Sequence, residues 1–479
     1  MKFYDREAEM KELNTLCDAA EKRAVMVVLS GVRRVGKTEL IIEFFRKNKG
    51  IYFFVDSTKT SNQLLGEFSE LLSRELGLSH LLAIRSWDDF FEVIFTQAKE
   101  KRLIVAFDEF QRFAFVEPSI PFILQKNFDL RKKESKLLLM ISGSSFGLLK
   151  TMFIEEGAPL FQRPANILRI RPFGFRLVCK VLHDLGIKKF DEKVELYSFF
   201  GGIPKFYEQM ELYNASGSQD ALDKLLFRQD APLRAEVRNI ISEEFGKQSP
   251  TYYGILTAIA IGKTKANEIA DYAEIMPTSL PNYLYDLTEL LGVVGREIQV
   301  TESQTSKKVN FMLSNSFFRF WFRFIYPKES DYELGRYEQL KNSFEGQKES
   351  FVGKAFEEIC REALVESGIA SKYQKIGRWW GFYRDDKGER KTAEIDIVAL
   401  DKASDEILFC ECKWRNRITG LSELLELKRY SELVEWKKQN RKEKFIMFSK
   451  SGFDSKAKDY AKENGWTLFD LEGLQKIFE

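Results

Sequence analysis

Residues 31–38 read Gly-Val-Arg-Arg-Val-Gly-Lys-Thr and fit the pattern G-x-x-x-x-G-K-[ST] at every fixed position. The flanks constrain the fold as much as the octapeptide does. Ala24 to Ser30 (AVMVVLS) is a valine-rich apolar run of the kind that forms a buried strand, and Thr38 to Phe45 (TELIIEFF) has helical character. Strand, glycine loop and helix in that order make a phosphate cradle. Gly31 and Gly36 allow turns that a Cβ resists and leave amide groups open to phosphate oxygens. Val32, Arg33, Arg34 and Val35 complete the loop. The helix opened by Lys37, Thr38 and Glu39 adds partial positive charge at its N-terminus. Lys37 is placed to reach β- and γ-phosphates, and the Thr38 hydroxyl to hold Mg²⁺. The expected ligands are ATP or ADP with Mg²⁺.

A second nucleotide motif should be an apolar strand ending in acid. Leu103 to Glu109 (LIVAFDE) supplies it, with Asp108 to hold Mg²⁺ and Glu109 to polarise the attacking water. Leu137 to Ser142 (LLLMIS) is another buried strand, followed by Gly143-Ser144-Ser145. Ser142 or Ser144 is a candidate γ-phosphate sensor, and a plain serine-rich turn reads equally well. With Ile51 to Asp56 and Ile167 to Ile170, about five strands alternate with helical stretches, which predicts a parallel α/β sheet.

Length and composition set the frame. A chain of 479 residues should hold about three domains. Its 44% hydrophobic and 30% charged content suits a globular protein, and a net charge of +2 gives no overall bias toward nucleic acid or membrane. No apolar stretch approaches bilayer length, and Met-Lys-Phe-Tyr-Asp-Arg-Glu has no signal-peptide core. A cytoplasmic protein with no membrane partner is expected. Cys17, Cys179, Cys360, Cys410 and Cys412 form no zinc spacing or disulfide framework, and His80 and His183 are isolated.

The motif order carries a resemblance. Phe3 to Leu13, GVRRVGKTEL, FDEFQ, ISGSSFGLL, PLFQR and FFGGIPKFYEQM succeed one another over roughly residues 1–330. This resembles the archaeal-type ATPase family of the AAA+/STAND group of P-loop NTPases. The resemblance implies that Phe3 to Glu7 lies near the adenine. It also implies that Gly202-Ile203-Pro204 packs on the nucleotide from a helical lid, with Pro204 a ligand contact. An ordinary loop is an equal reading of Gly201 to Pro204. Arg163, Arg33 and Arg34 are candidate arginine fingers or surface charges.

Tyr252 to Tyr326 has a winged-helix pattern. Thr264 to Ala273 and Ser279 to Leu291 read as helices around a turn at Met276-Pro277-Thr278, and Val293 to Leu313 as two strands with a polar tip. The second helix carries Asp286 and Glu289 and no lysine or arginine, the wrong charge for a phosphate-lined groove. A structural or autoinhibitory role is expected. Asn315 to Pro327 (NSFFRFWFRFIYP) reads as core, with Arg319 and Arg323 on its polar face.

In the last domain, Gly353 to Val365 is an amphipathic helix with Glu357, Ala393 to Leu400 a strand with Asp396, and Ile407 to Trp414 a strand with Glu411 and Lys413. Residues i and i+2 of a strand face one way, so Glu411 and Lys413 should lie together with Asp396 beside them. Two carboxylates can hold Mg²⁺, and a lysine can position water at a scissile phosphate. The order resembles the PD-(D/E)xK nuclease superfamily, with Glu357 completing the metal shell. Ile395 stands where that pattern has proline. Such a domain commonly follows the archaeal-type ATPase module and is often described only as of unknown function.

The expected architecture is α/β. It comprises a P-loop NTPase parallel sheet (1–172), a helical lid (173–235), a winged helix (236–326), a linker (327–350) and a restriction-endonuclease-like domain (351–479). The expected function is Mg-dependent ATP binding and hydrolysis that regulates a nuclease-like domain acting on DNA or RNA. The rival is a STAND-type signalling switch whose tail is an inactive module that binds protein or nucleic acid.

Overall fold

The computed structural model describes residues 2–78, 84–144, 146–246, 249–303, 305–306, 308–385 and 387–479. His80 and Ser145 lie outside the described residues. Two compact units emerge: residues 2–172 with 285–292, and residues 173–284 with 293–479.

In the first unit, β1 (Val25–Ser30), β2 (Ile51–Phe54), β3 (Leu103–Asp108), β4 (Leu137–Gly143) and β5 (Asn166–Arg169) form one sheet. Its order is β2-β3-β4-β1-β5 and every neighbouring pair is parallel. β1, β3 and β4 are buried throughout, as their unbroken apolar runs require when both faces are covered. One face packs Phe53, Phe68, Phe90, Phe107 and Phe113. The other packs Leu13, Val27, Leu40 and Phe44. Capping boxes at Thr60 and Ser86 begin two of the covering helices. Because the strands are parallel, their C-terminal ends share one edge of the sheet. The loops leaving that edge carry Gly31 to Gly36, Glu109 and Ser144.

The second unit holds the lid helices, a helix pair, a hairpin and the C-terminal sheet. β6 (Val294–Ile298) and β7 (Val309–Leu313) pair antiparallel after helices Ala266–Tyr272 and Leu280–Tyr285. The second helix continues past Tyr285 without a break, so the helical run Leu280 to Leu290 nearly matches the expected Ser279 to Leu291. Asp286–Leu290 is π-helical, and residues 285–292 belong to the first unit. There Leu290 sits on Gly147, where a Cβ would come within 1.8 Å of its Cδ2. Gly292 approaches Val32 of the glycine loop.

The expected linker at 327–350 is a correction. It forms helices Glu329–Glu333 and Tyr337–Glu345 and the start of Lys348–Glu366. Its polar composition hides three buried anchors, Tyr332, Leu340 and Phe344. Phe344 lies 5.1–5.4 Å, ring centre to ring centre, from Phe199, Phe320 and Phe324. One aromatic core therefore spans the lid, the segment NSFFRFWFRFIYP and the supposed linker. Arg319 is a second correction. It is buried, 5.2 Å over the Phe351 ring and 3.5 Å from Glu358, because both faces of its helix are covered. Arg323 keeps a polar partner in Gln347.

β8 (Lys375–Arg384), β9 (Arg390–Asp401), β10 (Glu406–Lys413), β11 (Lys442–Ser449) and β12 (Thr467–Phe469) form a mixed sheet ordered β12-β11-β10-β9-β8. β8, β9 and β10 are antiparallel, while β10, β11 and β12 are parallel. β12 is too short for a period-two signal. Between Gly377 and Trp379 the partner positions on β9 move from Val398 to Ile395. That bulge places one extra β9 residue beside Asp396, and bulges re-aim side chains.

Candidate functional site

The glycine loop is shaped by contacts that only glycine permits. A Cβ on Gly31 would lie 2.4 Å from the Ile170 carbonyl oxygen, and Gly36 has φ +95°. Arg34 also adopts a left-handed φ of +63°. Gly36 offers no side chain to cap helix Lys37–Lys47, so the helix amides open into the loop. Arg6, buried, donates to the carbonyls of Val35 at 3.2 Å and Arg171 at 2.8 Å. Sequence reading placed its segment near the site but missed this bracing role.

Lys37 is 5% exposed. Its Nζ donates to Gly31 O at 2.9 Å and Val32 O at 3.1 Å, folding the side chain across its own loop. Burial lowers its pKa, against the pull of Glu109 and Asp108. Thr38 Oγ1 donates to Asp108 Oδ2 at 2.6 Å, and the Tyr52 hydroxyl donates to the same oxygen at 2.7 Å. The Glu109 amide donates to Asp108 Oδ1 at 3.0 Å. Burial, with the Asp108 charge behind it, raises the Tyr52 pKa, so that hydroxyl stays a donor. Tyr52 gave no motif signal; it arrives because β2 lies beside β3. Glu39 is exposed on the first helical turn.

Glu109 leaves β3 with φ +56°. Its Oε2 accepts from Gln111 Nε2 at 2.6 Å and from Ser144 Oγ at 2.9 Å, and Arg112 Nε lies 3.6 Å away. Ser144 is thus tied to Glu109, while Ser142 Oγ and Ser30 Oγ are buried with no hydrogen-bond partner. Arg163 pairs with Asp129 at 3.0 Å and donates to Phe161 O. Arg33 lies close enough to Lys37 to oppose its charge. Pro204 belongs to the second unit, where it opens helix Pro204–Leu212. Gly202 has its own packing reason, since a Cβ there would meet Phe173 O at 1.9 Å.

On the C-terminal sheet, Asp396, Glu411 and Lys413 come together. Lys413 Nζ donates to Glu411 Oε1 at 2.5 Å, and the Cys412 amide donates to Asp396 Oδ2 at 2.9 Å. Glu411 Oε2 is buried without a hydrogen-bond partner. Burial, then the charge of Asp396, pushes the Glu411 carboxyl up to about 8. Burial likewise raises Asp396, against the opposing charge of Arg378. Burial disfavours the Lys413 ammonium, but Glu411 and Asp396 outweigh it and raise its pKa. Glu357 is a correction: it pairs with Arg378 and with Lys354 at 3.3 Å. Among the described residues no three of His, Cys, Asp and Glu come together as metal ligands. The buried Arg378, unmarked in the sequence, draws Glu357 away and also pairs with Glu394 and with Glu297 of β6. Glu426 was missed too. Its charge reaches both Glu411 and Lys413, and the Tyr430 hydroxyl donates to it at 2.9 Å. The signal was a Glu–Tyr pair one helical turn apart after β10.

All five cysteines are buried and free of disulfides. Among the described residues no helix is long and apolar enough to cross a membrane.

Residues 3–210 match the family described as an ATPase domain predominantly from Archaea, and residues 321–429 match archaeal and bacterial proteins of unknown function. An uncharacterized protein of Methanocaldococcus jannaschii is 32% identical over 486 residues, covering 98% of this chain and 99% of that protein. Among solved structures, a Walker-type ATPase of Pyrococcus abyssi aligns with TM-score 0.53 and 20% identity over 67% of this chain and 96% of its own. The Aeropyrum pernix ORC2 protein, solved in ADPNP–ADP complexes, aligns with TM-score 0.46 and 13% identity over 72% and 96%.

Proposed function

The chain belongs to the predominantly archaeal ATPase family and carries a C-terminal domain matching archaeal and bacterial proteins of unknown function; from this footing we propose that it binds ATP with Mg²⁺ and hydrolyses it. The observation that carries the proposal is the 2.6 Å approach of Thr38 Oγ1 to Asp108 Oδ2 beside the buried Lys37. Two hard oxygen donors brought together beside the loop suit Mg²⁺, which would replace their hydrogen bond and neutralise phosphate charge when bound. The loop amides and Lys37 hold the β- and γ-phosphates, and Glu109 accepts the proton of the attacking water. Phosphate release on adding ATP and Mg²⁺, and its loss on chelation with EDTA, test this directly.

We extend the proposal to the C-terminal sheet, as a nuclease-like domain whose action on nucleic acid follows the nucleotide state. Asp396 and Glu411 on adjacent strands, with Lys413 beside them, support it. Incubation of single- and double-stranded DNA and RNA with Mn²⁺, with and without ATP, is the test. Two raised carboxyls at one place store instability. Protonation relieves the penalty below the ordinary carboxylate range, and the share due to Glu411 is complete once pH rises past about 8. Asp396→Asn should therefore raise the melting temperature of the chain by about 2 °C at pH 8.5, and by less at pH 5. A lower melting temperature at pH 8.5 would contradict the like-charge picture.

The signalling-switch reading is favoured by residues 285–292. Leu290 is packed on Gly147 and Gly292 on Val32, so the end of the supposed recognition helix lies beside the glycine loop, where a nucleotide-dependent shift could reach it. Asn282, exposed on that helix, is expected to contribute nothing to duplex binding. Full-length Asn282→Ala should bind duplex DNA within about twofold of wild type across a salt series. A tenfold loss would place this helix in a groove.

A further inference from the structure

Arg378 of β8 is 6% exposed, and each nitrogen of its guanidinium faces a different carboxylate. Nη2 pairs with Glu357, Nη1 pairs with Glu394, and Nε lies 3.7 Å from Glu297. Its charge also acts on Asp396. Beside Asp396, Glu411 Oε2 is buried with no hydrogen-bond partner, an orphaned oxygen that a cation would satisfy. The carboxylates thus suit a divalent ion in kind, but Arg378 engages Glu357, and among the described residues no three acids come together as ligands. Glu297 reaches Arg378 from the β6–β7 hairpin, which is docked on β8. The Val300 amide, just past β6, donates to the Arg378 carbonyl at 2.9 Å. The Val300 side chain, 1% exposed, joins the core of the C-terminal sheet with Trp379, Ile395 and Val398. Gly377 makes room for it, since a Cβ there would lie 3.3 Å from Val300 Cβ. Lys375 Nζ donates to the Glu302 carbonyl. β8 is an edge strand of its sheet, and the hairpin gives that edge a backbone partner.

We infer, resting on the nuclease-like reading above and adding its regulation, that Arg378 is a positioning residue that stands in for the divalent cation at the C-terminal carboxylates, and that the docked hairpin keeps it there. A guanidinium placed among Glu357, Glu394 and Asp396 neutralises acids that a metal needs and repels a second cation. Asp396 and Glu411 are left as a pair, and affinity for a hard cation falls with the number of charged oxygen ligands. The arrangement holds because breaking a buried ion pair from one side leaves an uncompensated charge. Release therefore comes from the hairpin. When it leaves β8, Glu297 and the Val300 amide go with it, water reaches Arg378, and Glu357 is free to turn to Asp396 and Glu411.

The test is Mn²⁺ titration of full-length, nucleotide-free protein, followed by the electron paramagnetic resonance of the free ion. Arg378→Met removes the internal cation and is expected to tighten Mn²⁺ binding about tenfold or more over wild type, the scale of losing one like charge close to the ion. Gly377→Val keeps Arg378 and every acid but puts a side chain where Val300 sits, so it displaces the hairpin. It should tighten binding in the same direction, and it serves as the test if Arg378→Met does not fold. Adding Asp396→Asn to either variant should abolish the gain, which places the ion at the carboxylates and not at the phosphate loop. If the folded variants bind Mn²⁺ no more tightly than wild type, or keep the gain without Asp396, the inference is overturned. Wild type that already binds as tightly as the variants, through Asp396, overturns it too and leaves the nuclease-like reading standing. A gain that depends on Asp396, with no cleavage of DNA or RNA in Mn²⁺, supports the role of Arg378 and removes the nuclease reading instead.

Discussion

Lys37→Ala is expected to bind ATP about 30- to 1000-fold more weakly than wild type, the range for removing one partner of a buried, hydrogen-bonded charge pair. Lys37 has few partners to lose in exchange. Its ammonium is buried, and it is held by the carbonyls of Gly31 and Val32. Burial already works against its charge, and Asp108 and Glu109 restore only part of it. A phosphate in the loop would supply the anion that this buried cation lacks, so the interaction is strong where water is excluded. The fold should survive, because Lys37 lies at the first turn of its helix and the apolar contacts of Leu40, Ile41 and Phe44 remain. Calorimetric titration of the folded variant decides the matter. Affinity equal to wild type would remove Lys37 from the phosphate site.

Glu109→Gln is expected to keep ATP affinity within about threefold while kcat falls about 100- to 10,000-fold, the usual reach of general-base catalysis. Glutamine matches glutamate in shape, and its carbonyl oxygen can still accept from Gln111 and Ser144. It cannot accept a proton from water. Asp108, with its bonds from Thr38 and Tyr52, is untouched. Single-turnover measurement with radiolabelled ATP separates the two quantities. Hydrolysis at the wild-type rate would show that Glu109 is not the base.

Residues 285–292 leave the helix pair to pack beside helix Phe146–Phe153 and the glycine loop. Nothing in Tyr285 to Gly292 marks it as part of another unit. Its apolar residues suit either partner, and the choice depends on Gly147, 143 positions before Leu290, having no side chain. Helices 329–345 were hidden for a related reason. Leu340 and Phe344 do show helical spacing, but three anchors in a polar stretch look like a linker until Phe199 and Phe320 are brought against them.

The amino-acid sequence by itself determined the phosphate loop, the five parallel strands around it and the Asp396–Glu411–Lys413 alignment. Each of these follows from neighbours along the chain: glycine freedom at Gly36, unbroken apolar runs in β1, β3 and β4, and the two-residue period that pairs Glu411 with Lys413. Only the tertiary structure decided that Tyr52 and Thr38 share one oxygen of Asp108, that Gln111 and Ser144 hold Glu109, and that Arg378 takes Glu357 out of the carboxylate group. Those contacts join residues from different strands and helices. Local propensity is blind to them, because a polar side chain's partner is set by which elements the core packing brings within about 3 Å.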